Sequence, residues 1–576
     1  MAQEPSPPGA RAQGTGRRPL ASRLPWALGV DLSTSAVKAI AWGLEGEEAG
    51  KALFTGRAAI DLTNPSPLAW EQDANEWYRA LGEACRALSD AMSDRLPSLV
   101  GVSLAHQRET VVLTDPEGAP LGPARVWMDQ RGEVQVTRAT QALGASFLHQ
   151  TTGKPPCTTA SFYKLAAWFE EAPELRARCH ISCVHGFIAR RLLGRHVSSL
   201  ASVDPMGLLH LTQLDYAAPL LDFLGVREHQ LPRLAVPGEH LGGLTQEAAA
   251  HTGLRAGTPL FAGAGDGQAA GLGAGVCAPG EAYLNLGTAL VSGTLSHDYV
   301  TDLNYRTMLS AAPRADWLTG KPSYFLETDL KGGTFTFDWL AGRLLAETDD
   351  AGGAGSAEGT ATGGAGRPEG AETGGAERTA SAAEAAHAQK NARLEALAER
   401  ARSLPPGAEG LMLVPYWAGV MNPYWDDAAS GITIGWRGHH GAHHLYRAAL
   451  EGLALEQRLH TSGVEASAGS ISQLVTLGGL SDAAWVRQLF ADAMRRPIVA
   501  AGNREATSLG AAVLAAVGAG VFPSAAAAAR TLTSRGERHE PGAQAPAYDA
   551  LFAIYRELFP SLRGALQALA RLSPER

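Results

Sequence analysis

One pattern, occurring twice, constrains this chain more than any other: an apolar strand, a tight turn of glycine or small hydroxyl residues, and a second strand. The first copy runs from Trp26-Ala-Leu-Gly-Val-Asp31 through Ser33-Thr34-Ser35 into Val37-Lys38-Ala-Ile-Ala-Trp42. The second runs from Ala282-Tyr-Leu-Asn-Leu286 through Gly287-Thr288 into the stretch Ala289–Thr294. Short apolar runs bounded by turn residues read as buried strands. Taken alone, either copy is equally a plain hairpin. Together they predict two α/β lobes of similar build, each offering turn N–H groups and hydroxyls that suit phosphate oxygens. A ligand would then lie in the cleft between them.

The rest of the chain alternates in the same manner. Strands are expected at Ala52–Ile60, Leu99–Leu104 and Thr110–Thr114, and a helix over Glu71–Met92. The second series resumes at Leu411–Pro415, then a helix over His444–His460, the strand Gln473–Leu477, and helices over Ala484–Ala493 and Leu509–Phe522. The reading divides the chain into a disordered tail, 1–24, and lobes at 25–280 and 281–576. Residues 348–386, poor in apolar bulk and rich in Gly and Ala, read as a flexible insert, with helix resuming over Gln389–Arg402. With 576 residues, 45% hydrophobic and 19% charged, the composition is globular and long enough for several domains. A net charge of -9 argues against nucleic acid as a partner. No secretory h-region is seen and the run Leu509–Phe522 is too short to span a membrane, so a cytoplasmic protein is expected. The five irregularly spaced cysteines fit a reducing compartment and buried thiols. A homodimer is left open.

Several constellations carry chemistry. Asp31 ends a buried strand, where it can hold a hydrated Mg²⁺, and Ser33, Thr34, Ser35 and Lys38 follow as phosphate ligands. In Gly263-Ala-Gly265-Asp266-Gly267 an acidic side chain stands among glycines that let a substrate approach the backbone. Asp266 there could take the proton of a substrate hydroxyl, as phosphoryl transfer to an alcohol needs. Gln107-Arg108-Glu109 and Trp127-Met-Asp129 offer polar forks and an aromatic wall for a polyhydroxylated ligand, or else a surface salt-bridge cluster. Gly478-Gly479-Leu-Ser-Asp482 opens a helix and leaves room for a flat base or ribose. No G-x-x-x-x-G-K-[ST] loop is found, so nucleotide would not be held by a P-loop. His439, His440, His443 and His444 are expected in a loop and first helical turn, without metal.

Together these residues resemble the FGGY carbohydrate kinases, a family with two actin-like ribonuclease-H-fold lobes and an interlobe active-site cleft. The resemblance spans about residues 26–560 outside the insert. It rests on Asp31…Thr34…Lys38, Trp127-x-Asp129-x-Arg131, Gly265-Asp266, Gly287-Thr288, Pro415-Tyr416…Pro423-x-Trp425, Arg447-Ala-x-x-Glu451-Gly452, Gly478-Gly479 and Glu505…Gly510-Ala-Ala512, in the family's order. The resemblance implies ATP-dependent phosphorylation of a terminal hydroxyl on a sugar or polyol, with Mg²⁺. By it Asp266 is the general base, the Asp31 and Gly287-Thr288 turns face the phosphates and metal, Gly478 and Gly479 line the nucleotide pocket, and Arg108, Glu109, Trp127 and Asp129 face the sugar. Departures are Ser33 for the usual Gly, Gly419-Val-Met421 for Gly-Glu-Arg, and Ala429-Ser-Gly431 for Ala-Arg-Gly. Ser33 leans toward a pentulose such as D-xylulose. Gln107-Arg108-Glu109-Thr110 resembles the glycerol-binding members, although Thr158-Thr-Ala-Ser161 stands where those carry a Tyr. The alternatives are a glycerol or polyol kinase and, from another class, a non-catalytic actin-like ATP-binding protein.

Overall fold

The computed structural model describes residues 24–287, 290–331, 340 and 392–572, so the tail up to residue 23, Thr288 and the expected insert lie outside the described residues. A six-stranded sheet is built from the first half of the chain, in the order His240–Gly243, Pro259–Gly265, Leu99–His106, Trp26–Leu32, Ala36–Gly43, Ala52–Ala59. A seven-stranded sheet comes from the second half: Arg306–Leu309, Tyr324–Leu330, Leu290–Ser296, Glu281–Leu286, Gln473–Leu477, Ile498–Ala501, Arg535–His539.

The two sheets share one topology. In the first, Trp26–Leu32 pairs antiparallel with its hairpin partner, which pairs antiparallel with Ala52–Ala59, while on its other side it runs parallel to Leu99–His106, itself parallel to Pro259–Gly265. In the second, Glu281–Leu286 stands in the same place, with antiparallel Leu290–Ser296 and Tyr324–Leu330 on one side and parallel Gln473–Leu477 and Ile498–Ala501 on the other. The duplicated turn motif thus marks a duplicated sheet. Because side chains of the inner strands are covered on both faces, they read as continuous apolar runs rather than alternating ones.

Three local expectations change. The helix expected from Glu71 begins at Ala74, because Asp73 caps it by accepting a hydrogen bond from the Asn75 backbone N–H at 2.9 Å. Ala69–Gln72 instead forms a strand that pairs with Ala124–Arg125 in a separate five-stranded sheet. The helix expected over His444–His460 runs from Ala442 to Ala468. The second series does not pause before Leu411, since Arg306–Leu309 and Tyr324–Leu330 are strands. Arg306, Glu327 and Asp329 interrupt their apolar pattern, and those charges pair with one another across the sheet.

The two halves meet along helices. Ala506–Gly518, from the second half, crosses Asp266–Gly273 from the first at backbone contact: a Cβ added at Gly510 would stand 1.9 Å from the Ala269 carbonyl oxygen. Ser508 on the same helix donates to the Gly29 carbonyl at 2.9 Å and accepts from the Trp42 indole at 3.0 Å, fastening the helix to the first sheet. Ala is intrinsically a better helix former than Gly by about 1 kcal/mol. Overpacking at a backbone crossing costs about 1–3 kcal/mol or more and opposes that gain. Gly510→Ala should therefore lower the unfolding midpoint in urea or heat. A raised midpoint would show that the helices do not cross as closely as described.

Candidate active site

Three neighbouring parallel strands end at one edge, the edge at which open α/β sheets bind ligands. Asp31 is the last residue but one of Trp26–Leu32, Gln107-Arg108-Glu109 follow His106, and Asp266 follows Gly265 and opens its helix. The strand that delivers Asp266 is anchored from behind by His185. Its Nε2 accepts from the Gly263 backbone N–H at 3.1 Å, which leaves Nδ1–H to donate to the Ser198 hydroxyl at 3.1 Å. Both ring nitrogens are committed in the neutral form. Burial, and then the nearby charge of His106, push His185 down to about 3.

The centre of the site is a buried cluster of charges drawn from both halves. Arg108 Nη1 donates to both carboxylate oxygens of Glu327 at 2.8 Å, and its Nε lies 3.0 Å from Asp266 Oδ1. Arg306 donates from Nη2 to Glu327 at 2.6 Å and Asp329 at 3.1 Å, and from Nη1 to Glu109 at 3.0 Å. The Tyr283 hydroxyl donates to Glu327 Oε2 at 2.9 Å. Burial alone would raise Glu327, but Arg108 and Arg306 outweigh it and hold the carboxyl below its usual range. Asp266 goes the other way: burial raises it, with Arg108 only partly opposing. Its side chain is 43% exposed, so it is the carboxylate of the cluster that an incoming ligand can reach. Gly267 is needed here, because a Cβ at that position would stand 2.9 Å from Glu327 Oε2 and 3.0 Å from Arg108 Cζ.

Glu109 enters the cluster from a left-handed backbone conformation, φ 53°. A non-glycine residue in that region persists only where its surroundings hold it. Its carbonyl accepts from Ser161 Oγ at 3.0 Å and from Lys164 Nζ at 3.2 Å. Lys164 is fully buried, donates also to the Thr159 carbonyl, and is pushed down to about 8 by burial.

The other expected residues fall into three groups. Asp31 has a buried Oδ1 with no hydrogen-bond partner, and its carboxyl is pushed up to about 7 by burial and then by the charge of Asp266. An orphaned acidic oxygen beside a second carboxylate is a fitting place for a divalent cation. Ser33 closes the turn onto the Ala36 carbonyl at 2.9 Å, Ser35 is exposed, and Lys38 pairs with Glu505 of the second half at 2.8 Å. Thr34 Oγ1 accepts from the Trp127 indole at 3.1 Å and donates to Gln107 Oε1 at 3.3 Å. Gln107 also donates to Gln72 at 2.7 Å, and Asp129, fully buried, accepts from Arg131 and from the Trp70 backbone N–H at 3.0 Å. Gln107 and Asp129 therefore brace the wall of the site with their hydrogen-bonding capacity already engaged. In the second half Gly287 follows the strand Glu281–Leu286, and Gly478, at φ 87°, lies against it: a Cβ there would be 2.6 Å from the Gly287 nitrogen. Space is open above Gly479, and Asp482 pairs with Arg504 at 3.2 Å.

Sequence reasoning missed Arg306, Glu327, Asp329 and Tyr283. The available signal was Glu327 and Asp329 at alternate positions of an otherwise apolar strand, which puts both carboxylates on one face. A hollow of about 150 Å³ between the halves is lined by Cys157 and Thr159 on one side and Lys331, Met421 and Trp425 on the other. A larger one of about 540 Å³, lined by residues such as Arg138 and Phe223, touches none of the site residues. Among the described residues no helix is long and apolar enough to cross a membrane, the cysteines are free, and no group of three or more metal-ligating side chains is assembled, the four clustered histidines included.

Comparison with known proteins agrees with this architecture. The model for the N-terminal domain of the FGGY family of carbohydrate kinases matches residues 26–273, and that for the C-terminal domain matches residues 283–519. The chain is 24% identical over 547 residues to a xylulose kinase of Bacillus subtilis, covering 94% of this chain and 98% of that one. It is 24% identical over 552 residues to a gluconokinase of Bacillus licheniformis, covering 94% and 97%. The crystal structure of ligand-bound xylulose kinase from Lactobacillus acidophilus superposes with a TM-score of 0.80 at 21% identity, covering 95% of this chain and all of that one. The chain belongs to the FGGY family of carbohydrate kinases, enzymes that transfer a phosphoryl group from ATP to a sugar hydroxyl.

The His185 anchor gives a pH signature. Its unfolded pKa is about 6.5 and its folded value about 3, so the unfolded chain binds the extra proton. The stabilisation is present above pH 6.5 and is lost as pH falls toward 3. In His185→Gln the amide can still accept from Gly263 but does not titrate. The unfolding free energy of the wild type relative to this variant should fall by about 2 kcal/mol between pH 7 and pH 5. A difference independent of pH would contradict the neutral anchor.

Proposed function

We propose that this kinase transfers the γ-phosphoryl group of ATP to a terminal hydroxyl of a pentulose such as D-xylulose, in the cleft between lobes that divide near residue 280. The observation that carries the reading is Asp266. It is a carboxylate raised by burial, reachable from the cleft, and set beside the orphaned Asp31 oxygen. A base with a raised pKa is better matched to neutral operation than an ordinary aspartate. The sugar hydroxyl oxygen attacks the γ-phosphorus, its proton passes to Asp266, and the bond to the bridging oxygen breaks to release ADP.

Asp31 is the residue to hold Mg²⁺, which when bound neutralises phosphate charge. Ser33, Thr34 and Ser35 on one turn and Gly287 with Thr288 on the other cradle the phosphates. Lys38 exchanges Glu505 for a phosphate oxygen when ATP enters. Gly478, Gly479 and Asp482 take the nucleoside side, where the space above Gly479 admits a flat ring. Arg108, Glu109 and Trp127, with the backbone of Gly267, face the sugar, while Gln107 and Asp129 hold that wall in place. The Ser33 turn and the xylulose kinase relatives support a pentulose. Glycerol is the second reading, favoured by Gln107-Arg108-Glu109.

Asp266→Asn should lower kcat with Mg-ATP and D-xylulose by about 10²–10⁴-fold and leave the Kd for ATP within a few-fold. The wild-type rate should fall on the acid side as Asp266 protonates, at a pH above that of an ordinary aspartate, and the variant's residual rate should lack that limb. Full turnover by the variant would remove Asp266 as the base.

A further inference from the structure

We infer that Glu327 sets the acceptor site for an uncharged polyhydroxylated substrate and bars aldonates, the carboxylate-bearing sugars. The inference rests on the assignment of this cleft as the sugar site in the preceding subsection. It matters because the relatives of this chain include both a xylulose kinase and a gluconokinase at the same 24% identity. Overall likeness therefore does not separate a neutral substrate from an anionic one.

A sugar carboxylate is usually gripped by a guanidinium fork, two parallel N–H donors on two oxygens. Two guanidiniums reach this site, and each is already paired with carboxylates of the cluster. Arg108 spends Nη1 on both oxygens of Glu327, with Nε beside Asp266. Arg306 spends both terminal nitrogens, on Glu109, Glu327 and Asp329. Glu327 is the carboxylate common to the two. Its side chain is 0% exposed, and those of Arg108 and Arg306 are 6% and 3% exposed. Water is therefore a poor substitute for the pairing: a ligand carboxylate could take Arg108 Nη1 or Arg306 Nη2 only by leaving Glu327 buried and unpaired, and Arg108 Nε only by displacing Asp266.

The charge balance points the same way. Arg108 and Arg306, with Lys164 beside Glu109, face the four carboxylates of Glu109, Asp266, Glu327 and Asp329, so negative charge is in excess. A fifth carboxylate, on the substrate, would be repelled at short range in a poorly screened site. Hydroxyls face no such penalty. Each can donate to Asp266 and accept from the neighbouring guanidinium, since Arg108 Nε, 3.0 Å from Asp266, has no hydrogen-bond partner. A chain of hydroxyls fits this mixture of acceptors and donors, and a carboxylate does not.

The test compares D-xylulose with its five-carbon acid counterpart D-xylonate, and with D-gluconate, on the full-length wild type and on Glu327→Gln. Affinity is read by ligand-induced shift of the unfolding midpoint, and turnover by ADP release. Wild type should bind D-xylulose at least about tenfold more tightly than either acid, a factor that one like-charge contact readily supplies. In Glu327→Gln the acid-to-ketose affinity ratio should rise by about tenfold, because a negative charge is gone and the forks are loosened. A merely structural loss would weaken all three ligands alike and leave the ratio unchanged. Should that variant not fold, Asp329→Asn, whose side chain is 15% exposed at the edge of the cluster, reads the same ratio. An acid bound within threefold of D-xylulose by the wild type, no neutral compound shifting the midpoint, or a ratio unmoved in the variant overturns the inference. Phosphorylation of an aldonate would overturn it while leaving phosphoryl transfer intact. Selective binding of D-xylulose without ADP release would sustain it while overturning the pentulose-kinase reading.

Discussion

One carboxylate shared by two guanidiniums organises the site. Glu327 lies on the second sheet, beside Arg306 on its neighbouring strand, and receives Arg108 from the loop that ends a strand of the first sheet. None of the three can stay buried and charged without the others, since an unpaired buried charge is far more costly than any surface ion pair is favourable. Their separation in sequence is large, 219 residues between Arg108 and Glu327, so the pairing forms only when both sheets are complete and face each other. It sets how close the halves come and leaves Asp266 between them.

The duplicated sheet explains the division of labour. Each half contributes an antiparallel hairpin followed by parallel strands. The first half adds Asp31 and Asp266 at the ends of the two strands that flank Leu99–His106, and the second adds Gly479 with open space above it. Turns proposed to hold phosphate from both sides of a cleft suit closure over a substrate. Closure also excludes water, which would otherwise compete as phosphoryl acceptor. The helix crossing at Gly510 and the Lys38–Glu505 pair join the halves behind and across that cleft.

Much of this was legible in the sequence. Apolar runs located the inner strands because those strands are covered on both faces. Asp31 and Asp266 stood out because a carboxylate at the end of such a run has few structural uses. What was not legible depends on partners remote in the chain. Gln107 and Asp129 carry the residue types of ligand-binding groups, and only the fold shows Gln72, Thr34, Trp70 and Arg131 already engaging them. Arg306, Glu327 and Asp329 broke the hydrophobic pattern and so obscured two strands, although those breaks were themselves the mark of a buried charged site. The later start of the helix, at Ala74 and not Glu71, turned on a single capping side chain, Asp73, which a pattern of apolar spacing does not register.

The central claim is that a charge cluster spanning both halves builds the sugar site. A double-mutant cycle tests it most directly, with Arg108→Met, Glu327→Gln and the two combined, read by urea unfolding and by D-xylulose binding. Contacting buried partners should couple by at least about 1 kcal/mol, the double variant losing less than the sum of the singles. Effects on both readouts that add to within about 0.5 kcal/mol would contradict the account, because residues that do not share an interaction behave independently.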